Sequence, residues 1–277
     1  MLAQVEVMMD IRSITQPEFQ LFKKFIYGQV GISLSENKQS LVSGRLAKRL
    51  KYYNFNTFKQ YYEFIHQKGN EAEQQVVVDF LTTNETYFFR EPKHFDFLRD
   101  KVLPQHNRTK VFRVWSAACS SGEEPYTLAM VLAEHLQSKL WEIIASDVST
   151  RVLETATRGR YPQDVIEDIP RNYLLKYCLK GTGSQDGVVL ISKELRRQMR
   201  FQHINLMHPL PKLGELDVIF LRNVMIYFDN DTKRALLDRM YSLLKPGGYL
   251  FISHSESLNG ISEKFQIVQP SIYQRPL

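Results

Sequence analysis

The spacing of apolar residues divides the chain into two stretches with different periods. Up to about residue 80 the spacing is helical. Thr15 followed by Pro17 and Glu18 is a helix-start signal, and Gly31 is a stop after FQLFKKFIYGQV. Ser35 with Glu36 opens a second helix, in which Val42, Leu46, Leu50 and Tyr53 share one face and Arg45, Lys48 and Lys51 are left for another. Asn56 or Thr57 caps a third helix carrying Phe58, Tyr61, Tyr62 and Ile65, and a fourth spans about Glu71 to Leu81. Four such segments make a small bundle.

After Lys93 short β-rich runs alternate with helical ones. VFRVW (111–115) precedes a helix reaching Leu136, and WEIIASD (141–147) precedes a helix from about Thr150. LDVIFLRN (216–223) precedes a helix near Lys233 to Leu244, and GYLFISHS (248–255) follows. That alternation predicts an α/β fold, a mostly parallel sheet covered on both faces. The stretch at about 172–202 breaks the rhythm: KGTGSQDGVVLI, with its turn glycines and β-branched run, predicts a small antiparallel insertion.

Bulk properties narrow the classes. A chain of 277 residues exceeds one ordinary core, so one large or two modest domains are expected. No apolar run approaches the ~20 residues needed to cross a bilayer. The start MLAQVEVMMD carries Glu6 and Asp10 without a basic region and apolar core, so it does not read as a secretory signal. Cys119 and Cys178 lie far apart without a CxxC pattern. No disulfide framework or metal site is expected, and a reducing cytoplasm fits best. The net charge of +6 has a local source, because between Glu36 and Glu63 there is no acid but six cations: Lys38, Arg45, Lys48, Arg49, Lys51 and Lys59. This span reads either as a solvated helix face or as a surface for acidic partners.

The chemistry is concentrated where strands end. VFRVW runs into SAACSSGEE and then the helix PYTLAMVLAEHL, the arrangement that brings backbone amides against a nucleotide-like ligand. Gly122 is the loop's single glycine, so this is not GxGxxG. Glu123 and Glu124 would repel a pyrophosphate and suit a cationic ligand without phosphate, or they simply favour a helix N-terminus. Asp147 ends the next strand, where a ribose diol is commonly held, although it also reads as a helix cap. RNVMIYF (222–228) follows a third strand and sets Asn223 and Tyr227 at the ligand crevice. LKPGG (244–248) turns a helix into a further strand.

TTNETYFFRE (82–91), RVWSAACSSGEEPY (113–126), ASD (145–147), RNVMIYF and LKPGG together closely resemble the CheR family of chemoreceptor glutamate O-methyltransferases. The likeness covers nearly the whole chain, and TTNETYFFRE and RNVMIYF are its specific parts. The resemblance implies a helical receptor-docking domain over 1–80, a linker over 81–95 that reaches the cofactor, and a class I Rossmann-like methyltransferase core over 96–277 with an inserted β-subdomain at about 172–202. It implies S-adenosylmethionine as cofactor, converted to S-adenosylhomocysteine. Contacts are implied from Asn84, Thr86, Arg90, Glu123, Asp147, Asn205, Leu206, Asn223 and Val224.

Arg90 and Tyr227 are the residues expected at the methyl-transfer position. Arg222 is an alternative or an ion-pair anchor, and His254 is more structural in character. Receptor methylation helices carry glutamates in the family, so Arg45, Lys48 and Arg49 become docking candidates. In some members the β-subdomain adds a receptor C-terminal peptide as an extra strand. Two rivals stand beside this reading. A nucleic-acid methyltransferase suits the basic charge but lacks a D/N-P-P-Y/F motif at RNVMIY. A non-catalytic cofactor-sensing adaptor would keep the same pocket.

Overall fold

The computed structural model describes residues 12–136 and 140–277, so the N-terminal stretch read as lacking a secretory signal lies outside the described residues. Residues up to Thr82 form one compact unit and those from Thr83 onward another.

The first unit holds α1 (Gln16–Val30), α2 (Gln39–Tyr53), α3 (Phe58–Ile65) and α4 (Glu71–Leu81). Its ends are set by local chemistry. The Glu18 carboxylate accepts the Thr15 amide at 2.9 Å, and Gly31, at φ +73°, closes α1 by donating to the Tyr27 carbonyl. Thr57 and Gln60 satisfy each other's backbone amides at the start of α3. A 3₁₀ turn over Glu36–Lys38 leads into α2, so the α-helix proper begins at Gln39. Val42, Leu46 and Leu50 are fully buried with Phe19, Phe22, Phe58 and Tyr61, the ring of Phe22 stacking on Tyr61 at 6.1 Å.

The second unit begins with α5 (Lys93–Phe97), whose helix continues through a wide turn over Leu98–Val102. Then come β1 (Phe112–Ser116), α6 (Glu123–His135), β2 (Trp141–Asp147), α7 (Thr150–Arg158), β3 (Arg160–Pro162), α8 (Arg171–Tyr177), β4 (Cys178–Lys180), β5 (Val188–Ile191), α9 (Lys193–Arg196), β6 (Met199–His203), β7 (Leu216–Leu221), α10 (Asn230–Leu243), β8 (Leu244–Ile252), β9 (Gln266–Gln269) and β10 (Ile272–Gln274). The main sheet has the order β6-β2-β1-β7-β8-β10-β9. Its first five strands are parallel, β10 runs antiparallel to β8, and β9 runs antiparallel to β10. Alternate residues feed opposite cores: Val114, Ile143, Val218, Phe220 and Phe251 on one face, Trp115, Ile144, Ile219, Leu221 and Ile252 on the other. Burial on both sides is why these strands read as near-continuous apolar runs.

The insertion differs from its sequence boundaries of about 172–202. The three-stranded antiparallel sheet β3-β5-β4 starts at Arg160, and Met199–His203 belongs to the main sheet beside β2. Arg160-Tyr161-Pro162 is too short and proline-bearing to read as a strand. β6 lies at an edge, so MRFQH alternates polar and apolar like a strand of a small exposed sheet. Among the described residues no helix is long and apolar enough to cross a membrane.

Candidate functional site

The chain leaves β1 toward β2 and β6 on one side and returns to β7 and β8 on the other. That reversal opens a crevice at the carboxyl ends of β1 and β7, the place where open α/β sheets bind ligands. Hydrogen bonds bring most of the candidate positions to this edge. Asp147, buried at the end of β2, accepts the Ser120 amide at 2.8 Å and the Ser149 amide at 2.9 Å. Ser120 also donates its hydroxyl to the Asn84 carbonyl at 2.9 Å, tying the linker to the loop after β1. The Asp147 carbonyl takes the Ile204 amide, which sets Asn205 and Leu206 beside the same edge. These bonds bear on the helix-cap reading of Asp147: it holds the turn into α7 and, beyond that reading, the loop after β1.

Glu123 and Glu124 open α6 but have different surroundings. Glu124 accepts from the Ser116 hydroxyl at 2.7 Å and pairs with Arg222 at 2.9 Å. Glu123 is only 4% exposed, takes its side-chain hydrogen bonds from the Ser121 hydroxyl, and has no cationic partner among the described residues. Burial pushes its carboxyl above the ordinary carboxylate range, and the Ser121 hydrogen bond offsets only part of this. A buried acid without a counter-charge fits a ligand that carries positive charge and no phosphate. The donor set therefore suits S-adenosylmethionine rather than a dinucleotide.

Arg222, at the end of β7, is the hub that sequence reasoning left as an alternative. Its guanidinium pairs with Glu91 at 3.2 Å and Glu124 at 2.9 Å and donates to the Arg90 carbonyl, while its Nε has no partner among the described residues. Glu91 was not expected at the site. Its Oε1 accepts the Ser253 hydroxyl at 3.1 Å, and Ser253 in turn accepts from the Asn223 amide group at 2.8 Å. Burial is the largest single influence on the Glu91 carboxyl and acts upward, yet the positive charge of Arg222 helps hold the group below its ordinary range. Backbone strain collects here too. Phe89, Glu91, Ser120 and Asn223 all adopt left-handed φ values between +48° and +58°, four of the six such non-glycine residues described.

The Arg90 guanidinium donates to the Glu85 carbonyl at 2.7 Å, lies over the Tyr87 ring, and pairs with no carboxylate among the described residues. Tyr227 sits on a 3₁₀ turn after β7, half-buried, with no hydrogen-bond partner for its hydroxyl among the described residues. Val224 packs against the core beneath it, and among the described residues no hydrogen bond fixes Thr86. A cavity of about 420 Å³ lies elsewhere, lined by Tyr87, Phe89, Phe95, Arg99, Asp168 and Tyr173 among others. None of the nine cofactor candidates borders it, so it is not the site the hydrogen bonds define.

In the helical unit the three docking candidates are not equivalent. Arg45 donates to the carbonyls of Leu81 and Thr82 at 3.1 and 3.0 Å, closing the end of α4. Arg49 grips the buried Glu73 with two hydrogen bonds of 2.7 and 2.5 Å. Lys48 alone of the three is exposed and unpaired among the described residues. The picture of one free cationic face is corrected accordingly: both guanidiniums turn inward because the bundle's buried acid and open helix end need donors.

Residues 17–82 match the family described as CheR methyltransferase, all-alpha domain, and residues 84–274 match CheR methyltransferase, SAM binding domain. The chain is 42% identical over 262 residues to chemotaxis protein methyltransferase 2 of Pseudomonas aeruginosa, covering 94% of this chain and 93% of that protein. It is 38% identical to the chemotaxis protein methyltransferase of Borreliella burgdorferi, covering 95% of each chain. The identity with the Escherichia coli chemotaxis protein methyltransferase is 37%, covering 94% of this chain and 91% of that one.

Proposed function

This chain belongs to the CheR methyltransferase family, and from that premise we propose that its sheet-edge crevice methylates glutamate side chains of chemoreceptors. It is an S-adenosylmethionine-dependent methyltransferase of chemotaxis. The observation that carries the site assignment is Glu123, a buried carboxyl at the start of α6 with no cation of its own. In this reading Asn84, Thr86, Arg90, Glu123, Asp147, Asn205, Leu206, Asn223 and Val224 hold the cofactor.

S-adenosylmethionine supplies a methyl carbon on a positively charged sulfur, and an acceptor oxygen takes it as the carbon–sulfur bond breaks. A glutamate carboxylate, with an ordinary pKa of about 4.3, is already ionised near neutral pH, so no strong base is required. What the protein supplies is alignment and exclusion of water. Arg90, unpaired with any described carboxylate, orients the acceptor's carboxylate. Tyr227 lines the transfer position with a hydroxyl free to donate. Arg222 holds the linker carrying Arg90 against α6 and β7 through Glu91, Glu124 and the Arg90 carbonyl.

The helical unit docks on acidic receptor methylation helices, with Lys48 as its exposed cation. The insertion offers β4 as a strand edge unpaired among the described residues, with Leu179 on the strand 57% exposed and Leu175 of the preceding α8 74% exposed, which suits addition of a receptor tail peptide as a fourth strand. The reading is tested with radiolabelled cofactor and receptor-containing membranes, followed by mass spectrometry of receptor peptides. Methyl esters on glutamates are expected, with turnover falling about a hundredfold in Arg90→Ala. Label recovered in RNA, or cofactor binding without transfer, overturns it, and unchanged turnover removes Arg90 from its role.

A further inference from the structure

Three lone-pair donors converge beside the crevice, and two of them, His94 and His254, have no role in the function above while Glu91 serves there only as a partner of Arg222. Glu91 in the linker, His94 on α5 and His254 after β8 each offer one ligand atom, and the three atoms lie within 4.8 Å of one another. We propose that Glu91, His94 and His254 form a binding site for a transition-metal dication of the zinc class, and that its occupancy slows methyl transfer.

The distances suit such an ion. Zinc–nitrogen and zinc–oxygen bonds of ~2.0–2.2 Å in a tetrahedron place neighbouring ligand atoms about 3.4 Å apart. Glu91 Oε2 lies 3.4 Å from His94 Nδ1 and 3.9 Å from His254 Nδ1. Small side-chain adjustments close the remainder, and His254 is 46% exposed and free to make them.

The state of His94 supplies a second, independent reason. Its ring is 1% exposed, and its Nε2 meets the Ser271 hydroxyl at 2.7 Å. Ser271 spends its own proton on the Pro270 carbonyl at 2.6 Å, so Nε2 is the donor and the imidazole proton sits there. Nδ1 is left as a lone pair, with no hydrogen-bond partner among the described residues, aimed at a carboxylate oxygen. Glu91 Oε2 already takes Arg222 at 3.2 Å and the His254 backbone amide at 3.3 Å. On the His94 side, however, two electron pairs face each other in a buried setting, which a cation between them relieves. The His94–Ser271 bond is also the outer-shell contact that fixes the tautomer of a metal-ligating histidine.

Arg222 already shares Glu91 Oε2 at 3.2 Å, and this shared contact makes the site inhibitory. Glu91 and Glu124 together outnumber the one guanidinium, so a dication meets surplus negative charge. Drawn toward the metal, Glu91 slackens its hold on Arg222, which stays anchored by Glu124 and the Arg90 carbonyl. Ser253 links Glu91 to Asn223, so the same movement reaches the floor of the crevice. Entry is from the His254 side, and water completes the shell.

The test uses the full chain stripped with EDTA, with Zn²⁺ alone as the probe in a competition assay against a chromophoric chelator. One equivalent is expected to bind with micromolar affinity, and Co²⁺ in its place should give the visible absorption of a four- or five-coordinate site. His254→Ala, an exposed position whose loss leaves the fold intact, should weaken Zn²⁺ binding roughly tenfold or more. Its methyl transfer in EDTA should stay within about twofold of the parent and no longer respond to micromolar Zn²⁺. Absence of stoichiometric binding, or equal affinity in His254→Ala, overturns the site. Tight binding that leaves methyl transfer unchanged overturns its inhibitory role. The binding measurement does not depend on activity, so its failure is distinct from failure of the proposed methylation.

Discussion

Each unit of the chain buries an arginine against glutamate, and the two arrangements do opposite things. In the helical unit Arg49 and Glu73 close on themselves. Glu73 Oε1 accepts from Arg49 at 2.7 Å and from the Tyr61 hydroxyl at 2.6 Å, and Oε2 accepts from Arg49 at 2.5 Å and from Tyr53 at 3.1 Å. The guanidinium is further covered by the rings of Tyr52 and Tyr53. Every partner lies on α2, α3 or α4, so the network pins three helices together and ends there. In the second unit Arg222, at the end of β7, is shared between the linker and the start of α6, its Nε has no partner among the described residues, and the strained Glu91 and Asn223 adjoin it. A closed, fully satisfied pair stabilises a fold. One left incomplete among several loops sets the geometry of a site.

The sharpest way to break this contrast is to make the same replacement in both networks. Lysine keeps the charge but loses the planar fork that serves several acceptors at once. Arg222→Lys should leave a folded protein whose turnover has dropped about a hundredfold, because misplacement of the order of an ångström costs that much. Arg49→Lys should cost about 1–2 kcal/mol of stability, the scale of a lost charge-assisted hydrogen bond, with kcat within about twofold. Denaturant unfolding and labelled-methyl turnover, measured on both variants, decide it. If both replacements move stability and leave turnover alone, the second network is only another anchor.

A smaller effect concerns pH. Burial pushes the Glu123 carboxyl up, so in the free protein it keeps its proton to higher pH than an exposed glutamate. A group whose folded pKa is raised contributes stability at low pH and loses it as pH rises through that value. A cationic ligand favours the ionised form instead. Affinity for S-adenosylhomocysteine, whose ammonium carries the charge, should therefore fall as pH drops through the raised pKa, by up to about tenfold per unit below it. Calorimetry across pH and in buffers of different ionisation enthalpy should detect a proton released on binding within that window. Glu123→Gln should bind about tenfold more weakly and show a flat profile. A sloping profile in that variant assigns the proton to another group.

Much of this was legible in the sequence for a physical reason. Strands buried on both faces, such as WEIIASD and LDVIFL, announce themselves as continuous apolar runs, and helix ends at Thr15, Gly31 and Thr57 carry their own chemistry. The edge strand Met199–His203 was misassigned because an edge buries less and alternates. Glu123, Asp147, Asn223 and Val224 stand at or just after strand ends, where chain position locates them, whereas Asn84, Thr86 and Arg90 precede every strand and were named only through the family resemblance. Glu91, although it ends TTNETYFFRE, and His94 were missed because the partners that matter to them are not local. Their roles arise from Arg222, Ser253 and His254, which lie 128 to 163 residues away along the chain. The inward turn of Arg45 and Arg49 was equally hidden, since charge counted along a helix does not reveal which face has a buried acid waiting.

That last distinction leads to the smallest expected effect. If the helical unit meets acidic receptor helices through rim charges, the exposed Lys48 and Lys51 carry the encounter and the two arginines do not. Exposed charges chiefly change the rate of association and its salt dependence. Lys48→Glu with Lys51→Glu should raise the receptor KM several-fold at low salt, the difference shrinking as ionic strength rises, while S-adenosylhomocysteine affinity and unfolding midpoint stay put. Arg49→Glu would place a second acid against Glu73 and lower stability before any docking measurement became interpretable. An unchanged KM in the lysine pair at low salt would leave this helix face as solvated surface and move the search for the receptor's acidic partner to other cations of the chain.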